Sequence, residues 1–209
     1  MAHIPDGLLS APVLIGGGVG AAAAVAFAVH RLDDSQVPRV AILSAMFFVV
    51  SLVAIPVGPS SIHLLLSALM GLTIGAAAFP AVLIALLLQV LLFGVGGVTT
   101  LGVNTLDIAL PGVVCGALFL PLIRRLSSRG AAVAGFLCAV LSVAGTAGGV
   151  VLALVLSSSE FVPSAPIVAA SYLPLMLAEG LTTAFAVGFL KRVRPEALRG
   201  ALGAVEPAA

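Results

Sequence analysis

Polar residues in this chain of 209 gather in short clusters, and the stretches between them are long and apolar. A helix needs about 20 such residues, rising 1.5 Å each, to cross about 30 Å of hydrocarbon. Measured with that ruler, the chain divides into seven segments, at approximately 9–30, 38–57, 61–78, 79–95, 105–124, 130–157 and 164–191. The third and fourth are separated only by Phe79-Pro80, but residues 61–95 are too long for one helix. Pro80 suits the first turn of a new helix, so the pair reads as a tight helical hairpin. The pattern predicts an all-α integral membrane protein of about seven transmembrane helices. It forms one membrane domain over 1–209: a loop at 1–8, a bundle at 9–191 and a tail at 192–209.

Composition sharpens the class. The chain is 61% hydrophobic and 8% charged, with mean hydropathy +1.29, whereas an ordinary soluble domain is about a quarter charged. Abundant Gly and Ala suit close helix packing in lipid; Gly16, Gly20, Ala24 and Ala28 make a small-residue stripe on the first helix, and Gly145, Gly148 and Gly149 a cluster in the sixth. Cys115 and Cys138 lie in apolar segments and read as packing residues. Residues 1–9 hold no Lys or Arg, so the basic region of a secretory signal is missing and the first segment reads as retained. Lys191 is the only lysine, which excludes a phosphate-binding loop of the Gly-rich type and ATP hydrolysis by that route. No internal repeat of the kind found in secondary transporters is visible.

Charge placement orients the bundle. Arg31 and Arg39 flank the first loop, Arg124, Arg125 and Arg129 the loop after the fifth segment, and Lys191, Arg192, Arg194 and Arg199 the end of the seventh, which accounts for all nine basic residues. With seven spans they share one side, the cytoplasmic one. The N-terminus is then outside and the C-terminus inside. The outer side receives residues 1–8, the 58–61 loop, the 94–105 loop with Thr99, Thr100 and Asn104, and the 157–166 loop.

Chemistry concentrates in Met1-Ala2-His3-Ile4-Pro5-Asp6-Gly7. A terminal amine, one or two backbone amides and the His3 imidazole can converge on one metal ion. Deprotonated, such nitrogens impose a flat four-coordinate geometry that favours Ni(II) or Cu(II) over tetrahedral zinc. By itself an early histidine equally marks a frayed terminus. His63, placed at the outer start of the third segment, is either a second ligand or a helix-end residue bonded to a neighbouring carbonyl; His30 ends the first segment on the cytoplasmic side. Three polar residues lie inside the membrane: Gln89, Asp107 and Glu179. Ionisable groups at that depth suggest function. The alternatives are that Asp107 caps the fifth helix and that Glu179 is hydrogen-bonded to neighbouring helices.

The stretches His3-Ile4-Pro5-Asp6-Gly7, Ser61-Ile62-His63-Leu64-Leu65, residues 96–104 (GGVTTLGVN), Glu179-Gly180 and residues 188–196 (GFLKRVRPE) together resemble the CbiM/NikM proteins. These are the substrate-specific membrane subunits of energy-coupling-factor (ECF) nickel and cobalt transporters. The resemblance runs through nearly the whole chain in order. It implies a seven-helix fold whose N-terminal loop tucks back into the bundle. The metal is then held by the terminal amine, by the amide and side chain of His3, and by His63, with Asn104, Thr99, Thr100 and Asp6 lining or bracing the pocket. The family usually begins Met-His, whereas this chain has Met-Ala-His. If Met1 is removed, Ala2 supplies the amine and the family geometry returns. If Met1 stays, its amine, two amides and His3 fill a plane and His63 becomes a fifth ligand. Val95 stands where relatives often carry a charged or imidazole side chain.

The resemblance further implies a non-enzymatic capture subunit that imports Ni2+, with Co2+ next, through the bacterial or archaeal cytoplasmic membrane. Its partners would be a small membrane subunit, a transmembrane coupling subunit and cytoplasmic ATPases that hydrolyse the ATP; nucleic acid has no part. The rival classes are an ATP-independent secondary transporter or channel using Asp107 and Glu179, and a membrane metalloenzyme, which lacks a general base because Asp6 and Glu160 are the only outer acids.

Overall fold

The computed structural model describes residues 3–53, 55–57 and 60–199. Its elements in chain order are α1 (Ala11–His30), α2 (Val37–Leu52), β1 (Ile55–Val57), β2 (Ser60–Ile62), α3 (Ser67–Ile74), α4 (Ala78–Phe93), α5 (Leu101–Arg125), α6 (Ser128–Ser157), α7 (Ala165–Ser171) and α8 (Leu173–Val193). Among the described residues, six helical stretches are long and apolar enough to cross a membrane, with Ser67–Phe93 counted as one. Large apolar side chains point outward from these helices: Phe185 is 78% exposed, Ile167 74% and Leu118 70%. Together with the length and hydropathy of these helices, such outward apolar side chains suit lipid, and the chain is a multi-pass membrane protein.

Four elements depart from the pattern expected of the sequence. First, α2 ends at Leu52 and not near 57; β1 and β2 pair antiparallel, with Ile55 opposite Ile62 and Val57 opposite Ser60. Pro56 and the β-branched Val53, Ile55 and Val57 disfavour continued helix there. Second, α3 starts at Ser67, leaving His63 in an extended stretch before the helix and not inside it. Third, the break between α3 and α4 falls at Gly75 (φ 55°, ψ −130°), a conformation that glycine adopts without strain. Pro80 does lie in the first turn of α4. The expected third span is thus eight residues long, about 12 Å of rise, less than half the bilayer core. Fourth, the last segment is two helices that meet at Tyr172, where Pro174 at the start of α8 withholds an amide donor.

Small residues set the packing. A Cβ on Gly112 of α5 would overlap the Ser67 carbonyl, so α3 and α5 meet backbone to backbone. In α1, Gly20 of the stripe faces Leu106 of α5 and the adjacent Gly17 faces Val103, whereas a Cβ on Gly16 would meet nothing within 4 Å. At one end of the bundle Arg39 donates to the Ala197 carbonyl at 2.8 Å, Arg124 to Leu198 at 3.1 Å and Lys191 to Arg124 at 2.6 Å. The other end, a full α5 length away, carries residues 3–6, His63 and Val98–Thr100. Because His63 precedes α3 and Val98 follows α4, these two helices double back to the same end.

Candidate metal-binding site

The N-terminal segment is fastened to the start of α5. Asn104 engages the Ile4 residue in both directions: its Oδ1 accepts from the Ile4 amide at 2.9 Å and its Nδ2 donates to the Ile4 carbonyl at 3.0 Å. Thr100 adds a hydroxyl donation to the same carbonyl at 2.7 Å. The Asp6 carboxylate accepts from the amides of Val98 (3.1 Å), Thr99 (3.0 Å) and Thr100 (3.3 Å), and from the Thr99 hydroxyl. These donors precede Leu101, where α5 begins, so the carboxylate also sits at the positive end of the helix dipole. The Thr99 hydroxyl, aided by the three amides, holds the Asp6 pKa below its ordinary 3.8. A Cβ on Gly97 would overlap Asp6, which explains the glycine there.

This fastening carries His3 inward. His3 and His63 are 5% and 7% exposed, and their rings stack with centroids 4.8 Å apart and planes 20° from parallel. Burial, together with the nearby His63, lowers the His3 pKa to about 3; burial likewise lowers that of His63. Both imidazoles are therefore neutral at physiological pH, the form in which a ring nitrogen offers a lone pair to a metal. Neither ring nitrogen of His3 has a hydrogen-bond partner among the described residues, nor has Nε2 of His63; its Nδ1 lies 3.4 Å from the Leu64 carbonyl. Buried polar atoms without partners are costly. Three such nitrogens in one stacked pair suit an ion.

The described residues contain no cluster of three or more His, Cys, Asp or Glu side chains able to hold a metal. Two imidazoles alone leave a coordination sphere incomplete, and the family resemblance implies that terminal and backbone nitrogens complete it. Met1 and Ala2, expected to supply them, lie outside the described residues.

The backbone beside His63 is bonded by a residue whose partners the sequence did not show. Glu179 of α8, 0% exposed, accepts the amides of Leu65 and Leu66 on Oε1, the latter at 2.9 Å. Its carboxyl thus bonds the non-helical backbone beside His63, and not neighbouring helices as anticipated. Asp107 is no helix cap: α5 begins six residues earlier, at Leu101. Its carboxyl has no hydrogen-bond partner among the described residues and lies against Gly149 of α6. It lines a groove of about 610 Å³ between α1, α5 and α6 whose walls include neither histidine nor Glu179. Asp107 and Glu179 thus face different surroundings, the one this groove and the other the Leu65 and Leu66 amides.

Fold and site together define a multi-pass membrane protein that presents a neutral imidazole pair at one end of its bundle. The chain belongs to the CbiM family: the model of the cobalt uptake substrate-specific transmembrane region matches residues 3–197. It is 32% identical over 198 residues to a provisionally named metal transport protein of Haemophilus influenzae, covering 94% of this chain and 96% of that one. A fused nickel transport protein NikMN of Rhodobacter capsulatus is 33% identical over 168 residues, 76% of this chain and 46% of that longer protein. A solved transition metal transporter superposes with TM-score 0.73 at 26% identity, over 91% of this chain and 93% of its own. The protein is a membrane component of cobalt or nickel transport.

Proposed function

We propose that this chain is the substrate-capture subunit of an ATP-driven importer and that its preferred cargo is Ni2+, with Co2+ second. The observation that carries the reading is the buried, neutral His3–His63 pair with unpartnered ring nitrogens. The terminal amine of Met1 or Ala2, the amide and ring of His3 and the ring of His63 would form the nitrogen set, while Asp6, Thr99, Thr100 and Asn104 brace the segment that carries it. A planar all-nitrogen set suits the d-electron count of Ni(II). Amine and amide must lose protons to bind, so affinity falls in acid.

The grouping of all nine basic residues in the first loop, the α5–α6 loop and the stretch from the end of α8 supports a cytoplasmic position for the basic end of the bundle and an outer position for the histidines. Capture outside and release inside require work. In this reading a transmembrane coupling subunit, a small membrane subunit and cytoplasmic ATPases supply it, in a bacterial or archaeal cytoplasmic membrane.

Metal content of the purified chain tests the reading, comparing the native protein with a variant extended by two residues before Met1. Extension displaces the terminal amine and leaves His3 and His63 intact. The expected result is about one nickel or cobalt per native chain and loss in the extended one, on the stoichiometry of a single closed site. Equal binding by both would remove the amine from the site. Binding by neither would end the metal assignment.

A further inference from the structure

We infer that Glu179 is the positioning residue of the metal site: its buried carboxylate holds the 63–66 turn that aims His63 at His3. This deepens the metal reading above and rests on it. Residues 63–66 belong to neither β2 nor α3, so their amides have no partners from regular structure. Leu65 and Leu66 are 0% and 3% exposed, which denies those amides water. An unsatisfied amide in such surroundings is strongly unfavourable. Both amides converge on a single Glu179 oxygen.

Backbone strain at the same point supports the assignment. Leu66 has φ 51° and ψ 17°, the one non-glycine residue with positive φ among those described. A leucine holds the left-handed region only where its surroundings compel it. Consecutive amides around a left-handed residue form a concavity that takes an anion, and here a side chain carboxylate occupies it. The carboxylate is itself rigidly mounted. A Cβ on the next residue, Gly180, would overlap the Phe136 ring of α6, so α8 is pressed against α6 where Glu179 emerges. The chain of support runs from the α6–α8 pair through Glu179 to the Leu65 and Leu66 amides, and from Leu65 two residues back to the His63 ring. Among the described residues, Glu179 makes no hydrogen bond to a ring nitrogen of His3 or His63. It fixes where one of them points.

The test uses the full chain in detergent with Ni(II) as the probe, comparing wild type with Glu179→Gln and Glu179→Leu. Three quantities are read: nickel affinity, the visible absorption band of planar Ni(II), and hydrogen exchange at Leu65 and Leu66 in metal-free protein. Gln retains an acceptor oxygen and is expected to stay within about fivefold of wild type with its band unchanged. Leu is expected to lose about 10- to 100-fold in affinity, as residues that orient a metal ligand do, to lose the planar band, and to expose both amides to exchange.

Wild-type affinity and exchange in the Leu variant would overturn the assignment. So would Gln failing as Leu does with melting lowered equally in both, because the role would then be general stability. If wild type itself binds no nickel, the metal reading fails, and the exchange measurement still decides whether Glu179 holds the turn.

Discussion

Stacked neutral imidazoles in a dry pocket resist protonation, and that resistance has a cost in acid. Unfolded, His3 titrates near 6.5; folded, near 3. Between those values the unfolded chain binds a proton that the folded one refuses, so the metal-free protein loses stability as pH falls from 6.5 toward 3 and loses none of it above 7. His63 shifts in the same direction. Asp6 acts elsewhere: its lowered pKa contributes stability above 3.8 that disappears only below that value. The melting temperature of metal-free wild type should therefore fall between pH 7 and 4.5 more steeply than that of His3→Phe. Parallel curves would mean that His3 titrates freely in the folded chain. The candidate residues His3, Asp6, Thr99, Thr100, Asn104 and His63 stood out because they are polar in an apolar chain and match a family motif, and the fold brings them to one end of the bundle. Glu179 was visible as a buried acid, but nothing local in sequence links it to amides 113 and 114 residues away.

Helix starts and stops were legible where proline or glycine marks them and obscure where distant contacts decide. Pro12 opens α1, and Gly94 in left-handed conformation closes α4. The start of α3 depends instead on a carboxylate from α8, and its contact with α5 on the missing Cβ of Gly112. Gly112→Ala should push Ser67 away and destabilise the chain by about 1–3 kcal/mol, the usual cost of overpacking. Because Ser67 follows the 63–66 turn directly, nickel affinity should fall with it. Gly148→Ala is the control: its Cβ meets nothing within 4 Å, and alanine favours helix. Melting in detergent checks both, and equal melting of the two variants would show that α3 and α5 can separate without cost.

Over the whole molecule, the two ends differ in kind. One gathers the basic loops and the 195–199 turn held by Arg39 and Arg124; the other gathers the histidines and the Asp6 clasp. If the basic end is cytoplasmic, a membrane-impermeant maleimide applied to intact cells should label Glu160→Cys and leave Arg129→Cys untouched until the membrane is opened. The reverse pattern would invert the topology. Apolar length sufficed from sequence alone for the membrane class and most of the spans, and polarity in an apolar chain for the candidate residues, since hydrocarbon thickness and the cost of buried charge act on every segment independently of its neighbours. Tertiary structure alone decided that α3 is half a span, that His63 stands outside it, that Asp107 and Glu179 face different places, and that a carboxylate from α8 shapes the turn. Those outcomes depend on which buried amide finds which acceptor, and that pairing exists only once helices distant in sequence have packed together.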